Sequence, residues 1–168
     1  DANQTKDVSY RVRYYTTDGV KEEFATVNAA VWVNDTTIPV KASDIDLTNR
    51  FTGYACDIIA ANLPATVPVT NGLVEVPHSK NDKDTKEVSY LVKYYLNSTL
   101  RDTVTEKQNI WVGATSITVD KSKINFNDKF GAGYKCVTDP ATITTVALTN
   151  GVVEVYYEDD YTQKKDAS

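Results

Sequence analysis

One strand-like segment occurs twice, 80 residues apart, and this duplication constrains the possible folds more than any other feature of the chain. Lys6-Asp7-Val8-Ser9-Tyr10-Arg11-Val12-Arg13-Tyr14-Tyr15 returns as Lys86-Glu87-Val88-Ser89-Tyr90-Leu91-Val92-Lys93-Tyr94-Tyr95. In the first copy Val8, Tyr10, Val12 and Tyr14 fall on one side, and Ser9, Arg11, Arg13 and Tyr15 on the other. That period of two marks a β-strand with one buried face. An internal repeat sets the number of structural units. Two units of roughly 80 residues follow, each near the small end of what folds alone.

The rest of the chain repeats in the same order. Thr16-Thr17-Asp18-Gly19 and Leu96-Asn97-Ser98-Thr99 read as turns. A second strand follows each, Phe24 to Val33 and Val104 to Val112. It places Trp32 and Trp111, 79 residues apart, on its more polar face. Short β-rich pieces come next, 36–40 and 115–119. Ser43 followed by Asp46 suits a helix N-cap in the first copy only, so at most one short helical turn is expected per unit. Phe51-Thr52-Gly53-Tyr54 and Phe130-Gly131-Ala132-Gly133-Tyr134 lead into a third strand carrying Cys56 or Cys136. Each unit closes with Thr-Asn-Gly and a last strand, and the Asn-Gly pair predicts a tight hairpin with the segment before it. Roughly a third of aligned positions are identical between the copies, as duplication of one unit requires.

The resulting expectation is a mainly β chain with a spacer at 1–7, repeat unit 1 at 8–77, a linker at 78–87, repeat unit 2 at 88–158 and a spacer at 159–168. The polar, aperiodic spacers resemble one another, as joints in a longer array would. The chain starts with Asp and contains no Met, so it reads as a mature product or an excised piece.

Charge and cysteine content narrow the function classes. The net charge of −5 is shared between the halves, with 7 Lys/Arg against 10 Asp/Glu in residues 1–80. No basic stripe is present to neutralise phosphates, which argues against nucleic acid and against an anionic membrane surface. No apolar run approaches the ~20 residues that span a bilayer. Cys56 and Cys136 are equivalent, one to a unit, so a bond between them requires the units to fold back on each other. Each is expected as a small buried hydrophobe, with intermolecular bonding as the alternative.

Catalytic and metal-binding patterns are absent from the sequence. The lone His78 follows Pro77 at the start of the expected linker and reads as a solvent-side residue without a counterpart. No phosphate cradle, nucleophile elbow, CxxC pair or calcium loop occurs. The expectation is a non-enzyme with no cofactor and no metal. A covalent staple is also disfavoured: glutamine occurs only as Gln4, Gln108 and Gln163, and Lys93 on the outer face corresponds to Arg13, which cannot form an isopeptide.

The opening Val-Ser-Tyr-x-Val-x-Tyr-Tyr, the central Gly-Tyr-x-Cys and Gly-x-Gly-Tyr-x-Cys, and the closing Asn-Gly-x-Val-Glu-Val resemble mucin-binding-protein (MucBP-type) repeats of Gram-positive surface proteins. The resemblance covers 8–76 and 88–157. A Cys after each Gly-Tyr and a Trp on each second strand depart from the usual pattern. The resemblance implies β-grasp-like units, with first and last strands adjacent and parallel, in an extracellular, cell-wall-attached protein.

The function this implies is that of a tandem-repeat segment of a bacterial cell-surface adhesin, binding host glycan, mucin, matrix or other protein by multivalency. The alternative is a passive stalk that projects another domain. Ligand-binding candidates are the outward aromatics Trp32, Trp111, Tyr15 and Tyr95, since flat aromatic faces suit sugar rings. Packing against a loop or a neighbouring unit would use the same positions. Other expected partners are further repeats of the same chain.

Overall fold

The alternating Val/Tyr segment becomes strand β1 (Thr5–Thr16), and its repeat becomes β7 (Thr85–Leu96). The computed structural model describes residues 3–163, so residues 1–2 and 164–168 of the expected terminal spacers lie outside the described residues. The burial follows the predicted parity. Tyr10, Val12, Tyr14 and Thr16 are each 3% exposed or less, while Ser9 and Arg11 face solvent and Arg13 and Tyr15 are half-buried. Contacts divide the chain into two compact units, with the division between Asp84 and Thr85.

In unit 1, β1 is followed by β2 (Glu22–Trp32), β3 (Thr37–Pro39), β4 (Tyr54–Cys56), β5 (Thr66–Pro68) and β6 (Leu73–Lys80). The main sheet has the order β2-β1-β6-β4, and β3 pairs with β5 in a separate ribbon. The first and last strands lie side by side and parallel, with Val12 opposite Val74 and Tyr14 opposite Val76. β2 and β4 add antiparallel at the two edges. Unit 2 repeats this plan with β8 (Thr99–Trp111), β9 (Ser116–Thr118), β10 (Tyr134–Cys136), β11 (Thr145–Ala147) and β12 (Val152–Asp159). Its sheet runs β8-β7-β12-β10, with β12 parallel to β7 and the ribbon formed by β9 and β11. The protein is thus mainly β, built as two similar units of the expected first-beside-last arrangement. No helix among the described residues is long and apolar enough to cross a membrane.

The ribbon and the loops around it cover the inner face of each sheet. In unit 2, Tyr90, Val92, Tyr94, Ile117, Val153, Val155 and Tyr157 form one buried cluster. Val12, Val76, Val92, Val155, Ile38 and Ile117 are 0% exposed, and each such side chain contributes about 1.5–3 kcal/mol of apolar burial. The repeated tyrosines add a polar function that Phe would lack. Tyr14 Oη accepts the Asp46 N–H at 2.9 Å, and Tyr94 Oη accepts the Asn125 N–H at 3.0 Å. Each hydroxyl therefore pins the crossover loop to the sheet while satisfying a backbone donor.

Several expectations need correction. His78 is not a solvent-side linker residue: it lies in β6, 0% exposed. Its ring meets Phe51 edge-on at 5.0 Å, and its Nε2 lies 3.3 Å from the Thr48 carbonyl. It also has a counterpart, since His78 stands opposite Thr16 and Tyr157 stands opposite Leu96. Tyr157 meets Phe130 edge-on at 5.1 Å and donates to the Asn125 carbonyl at 2.7 Å. Much of the expected linker is strand, because β6 runs to Lys80 and β7 starts at Thr85. The turn between them is tied down by Asn81 N–H to Gly53 O at 2.8 Å and Gly53 N–H to Asp84 Oδ2 at 3.1 Å.

The helical content differs in detail. Each unit has two 3-10 turns rather than one at most: Ala42–Asp44 and Ala60–Asn62, then Lys121–Lys123 and Pro140–Thr142. Ser43 is not a cap. Side-chain caps occur in the second copy, where Asp120 accepts the Ser122 N–H and Asp139 accepts the Ala141 N–H. Nor does Asn71-Gly72 close a hairpin, because β5 pairs with β3 and leaves β6 to β1 and β4. Asn71 takes a left-handed φ of 56°, and a Cβ on Gly72 would approach Pro68 O to 2.6 Å. The pair thus turns the chain from ribbon to main sheet. A two-residue hairpin of the mirror-turn type occurs instead at Asn97 and Ser98, with φ of 49° and 68°. Cys56 and Cys136 are free thiols and half-buried rather than buried; each Sγ donates weakly to a carbonyl two residues on.

Burial of Tyr157 pushes its phenol from the ordinary 10.0 up to about 12. The folded chain holds this proton more tightly than the unfolded one, so the associated stability is complete below pH 10.0 and is lost as pH rises towards about 12. We predict that thermal melting points fall across that window and that Tyr157→Phe flattens part of the fall. An identical pH dependence in the Phe variant would refute the assignment.

Candidate functional site

Outward aromatic positions occur at opposite ends of each sheet. Trp32 stands opposite Thr5 at one end of the β1–β2 pair, whereas Tyr15 stands opposite Glu22 at the other. Ten residues of strand separate the two positions along β1, about 33 Å at strand rise. The same holds for Trp111, opposite Thr85, and Tyr95, opposite Leu100. The four candidates therefore make no common patch within a unit.

The Tyr ends are engaged differently in the two copies. In unit 1 the Arg13 guanidinium lies 3.8 Å over the Tyr15 ring and pairs with Glu22 at 2.7 Å. Arg11 lies 3.9 Å over Phe24. These are cation–π contacts on an exposed sheet face. In unit 2, Leu91 and Lys93 replace the arginines. Tyr95 stacks on Tyr156 at 4.8 Å and 18°, and Lys93 opposite Glu154 separates this pair from Leu91 opposite Val152. Both faces keep a central charged pair, Arg13 opposite Glu75 and Lys93 opposite Glu154, and they differ where unit 2 has Leu91 for Arg11 and Tyr156 for Pro77. Tyr156 escaped the sequence reading, although the parity of the last strand marks it as outward.

The Trp ends differ more. Trp111 is half-buried, and its ring lies so close over Gly113 that a Cβ there would overlap it. Trp32 is 40% exposed and lines a cleft of about 590 Å³ between β2 and the segment from Asp35 to Asp44. The floor of this cleft includes Tyr10 and Ala29; Lys41, Ser43 and Asp44 stand across from β2. Tyr10 is 2% exposed, and among the described residues its buried Oη has no hydrogen-bond partner. Burial raises the Tyr10 pKa, and the negative charge of Asp44 raises it further, so the phenol is held neutral.

Unit 2 closes the corresponding place with its own side chains. Register puts Gln108 opposite Val88, where unit 1 has Ala29 opposite Val8. Gln108 Oε1 accepts the Tyr90 hydroxyl at 2.8 Å and the Asp120 N–H at 2.9 Å, while its Nε2 donates to Thr118 O at 2.9 Å. Lys123, which takes the place of Asp44, donates from Nζ to the Lys107 carbonyl on β8. Alignment of the copies on their tryptophans places Ala29 with Gln108 and Asp44 with Lys123.

No protein-family model matches the chain, and no curated protein matches it. Several solved chains show likeness, among them the two that follow. One is a type 2 repeat of the mucus binding protein MUB from Lactobacillus reuteri, at TM-score 0.29 and 14% identity, over 91% of this chain and 100% of that one. The other is Mub-RV, at TM-score 0.28 and 16% identity, over 91% of this chain and 99% of that one.

Gln108→Ala removes one partner each from the Tyr90 hydroxyl, the Asp120 N–H and the Thr118 carbonyl. We predict a loss of about 1–3 kcal/mol from unit 2, read as faster amide hydrogen exchange at Val92 and Val155. Unchanged exchange would mean that solvent replaces all three bonds without cost.

Proposed function

We propose that this chain is a two-repeat segment of a bacterial cell-surface adhesin that binds host glycan, mucin or protein by multivalency. The observation that carries this reading is the duplication itself: one β unit occurs twice and sets aromatic side chains at the same outward positions, Tyr15 with Tyr95 and Trp32 with Trp111. Weak sites repeated along one chain gain affinity because the second contact forms at high effective concentration. The solved repeat of a mucus-binding protein points to the same ligand class. In this reading the chain belongs to an extracellular, cell-wall-attached protein of a Gram-positive bacterium with further repeats of the same kind.

A stalk that only projects another domain is the second reading. It draws on the engagement of the outward rings, since Arg13 covers Tyr15, Tyr156 covers Tyr95, and Trp111 packs over Gly113. Binding of the full chain to immobilised mucin at graded density separates the two. A multivalent adhesin binds the dense surface about 100-fold or more tightly than the sparse one, and Trp32→Ala with Trp111→Ala weakens it. Absence of binding at the highest density would favour the stalk. Binding indifferent to both substitutions would remove the tryptophans from the site.

A further inference from the structure

We propose that the cleft beside Trp32 is a binding site for one neutral sugar residue at the end of a glycan, and that unit 1 alone carries it. The choice of a glycan as ligand rests on the adhesin reading above; the site itself rests on the comparison of the two copies.

Tyr10 supplies the first argument. Its side chain is 2% exposed and lines the cleft, yet its hydroxyl has no partner within the described protein. A buried hydroxyl is costly unless something bonds to it. Unit 2 shows the cost removed from within, because Gln108 receives the Tyr90 hydroxyl at 2.8 Å. In unit 1 that residue is Ala29, which has no polar atom beyond its backbone. The partner that Tyr10 lacks must come from outside the side chains of β2.

The second argument is the mouth. Where unit 2 has Lys123 donating to the edge carbonyl of Lys107, unit 1 has Asp44 facing a cleft that includes Asn28. An ionised Asp44 has no hydrogen to give a carbonyl. Two exchanges, Gln to Ala and Lys to Asp, therefore act together to open in one unit what the other keeps closed. The opened volume of about 590 Å³ lies within the 300–1,000 Å³ typical of small-ligand sites.

The chemistry of the walls selects the ligand. Tyr10 and Lys41 offer donors, Asp35 and Asp44 offer acceptors, and Trp32 offers an aromatic ring. Sugar hydroxyls both donate and accept, so one polyhydroxylated ring can use this mixture, with its apolar face towards the indole. Two carboxylates against one ammonium leave the mouth net negative, which disfavours acidic sugars.

The test is a two-dimensional ¹H–¹⁵N titration of the full chain with galactose, N-acetylgalactosamine and N-acetylglucosamine, and with glucuronate as the acidic control. At least one neutral sugar should give saturable shifts at the Ala29 amide and the Trp32 indole N–H, with glucuronate at least about tenfold weaker. Ala29→Gln with Asp44→Lys should abolish those shifts and raise the melting point, because Tyr10 gains a partner. Trp32→Ala, which leaves the floor intact, should weaken binding about tenfold or more; the spectrum itself reports whether each variant folds. The proposal falls if no neutral sugar saturates, if the closed variant binds equally, or if glucuronate binds as well. Mucin binding by both wild type and closed variant, with no sugar titrating, would overturn the cleft alone. Failure of both to bind dense mucin would overturn the adhesin reading as well.

Discussion

The parallel ladder between the first and last strands of each unit is the constraint on which everything else depends. β1 and β6 are neighbours at the centre of one sheet, and both bury the same face through Val12, Tyr14, Val74 and Val76. Parallel neighbours cannot be joined by a tight turn, so the chain must leave the sheet and return across a face. In many proteins an α-helix makes that crossing. Here the crossing is a ribbon of two three-residue strands with 3-10 turns, plugged into the core by Ile38 and Val67 in unit 1 and by Ile117 in unit 2. Such short strands have little ladder of their own. Side-chain bonds from the sheet, Tyr14 to Asp46 and Tyr94 to Asn125, therefore carry part of the work of holding them.

This division of labour decides where the copies can diverge. Val12, Val92, Tyr14 and Tyr94 set the frame and are retained. His78 and Tyr157 are different side chains performing one task, a ring set edge-on to a Phe with a polar atom at a loop carbonyl. Ala29 and Gln108, at the edge strand, do not set the frame. A change there alters what the unit offers to solvent while the ladder stays intact.

The sheet was legible in the sequence because a two-residue period records burial directly: Tyr10, Val12 and Tyr14 are where alternation puts them. The parallel arrangement came only with the family resemblance, since periodicity says nothing of which strands pair. The Asn-Gly signal misled because a local turn preference cannot see that β1 takes the partner the hairpin would need. His78 was misplaced because Pro77 looked like a strand end. In the structure the Pro77 carbonyl takes the Asp57 N–H at 2.9 Å, so its nitrogen faces Asp57, just past the end of β4 and off the ladder with β1. Trp32 and Trp111 share the parity of the exposed residues of β2 and β8. That one borders a cleft and the other covers Gly113 depended on residues across the loop, which a strand pattern does not register.

The docked turn at Asn81–Asp84 and the parallel ladder together determine how a unit bears tension. The chain enters at the start of β1 and leaves at the end of β6, and these strands point the same way. Pulling on the two ends drags the strands past each other along their length, so the six paired positions between Arg11–Thr16 and Leu73–His78 are loaded in shear. Bonds loaded this way resist together, whereas a hairpin pulled open at its ends yields one rung at a time. The same geometry holds between β7 and β12. The first and last strands of each unit are thus clamped to one another at its centre, and drag along the chain loads all six pairs of that ladder at once.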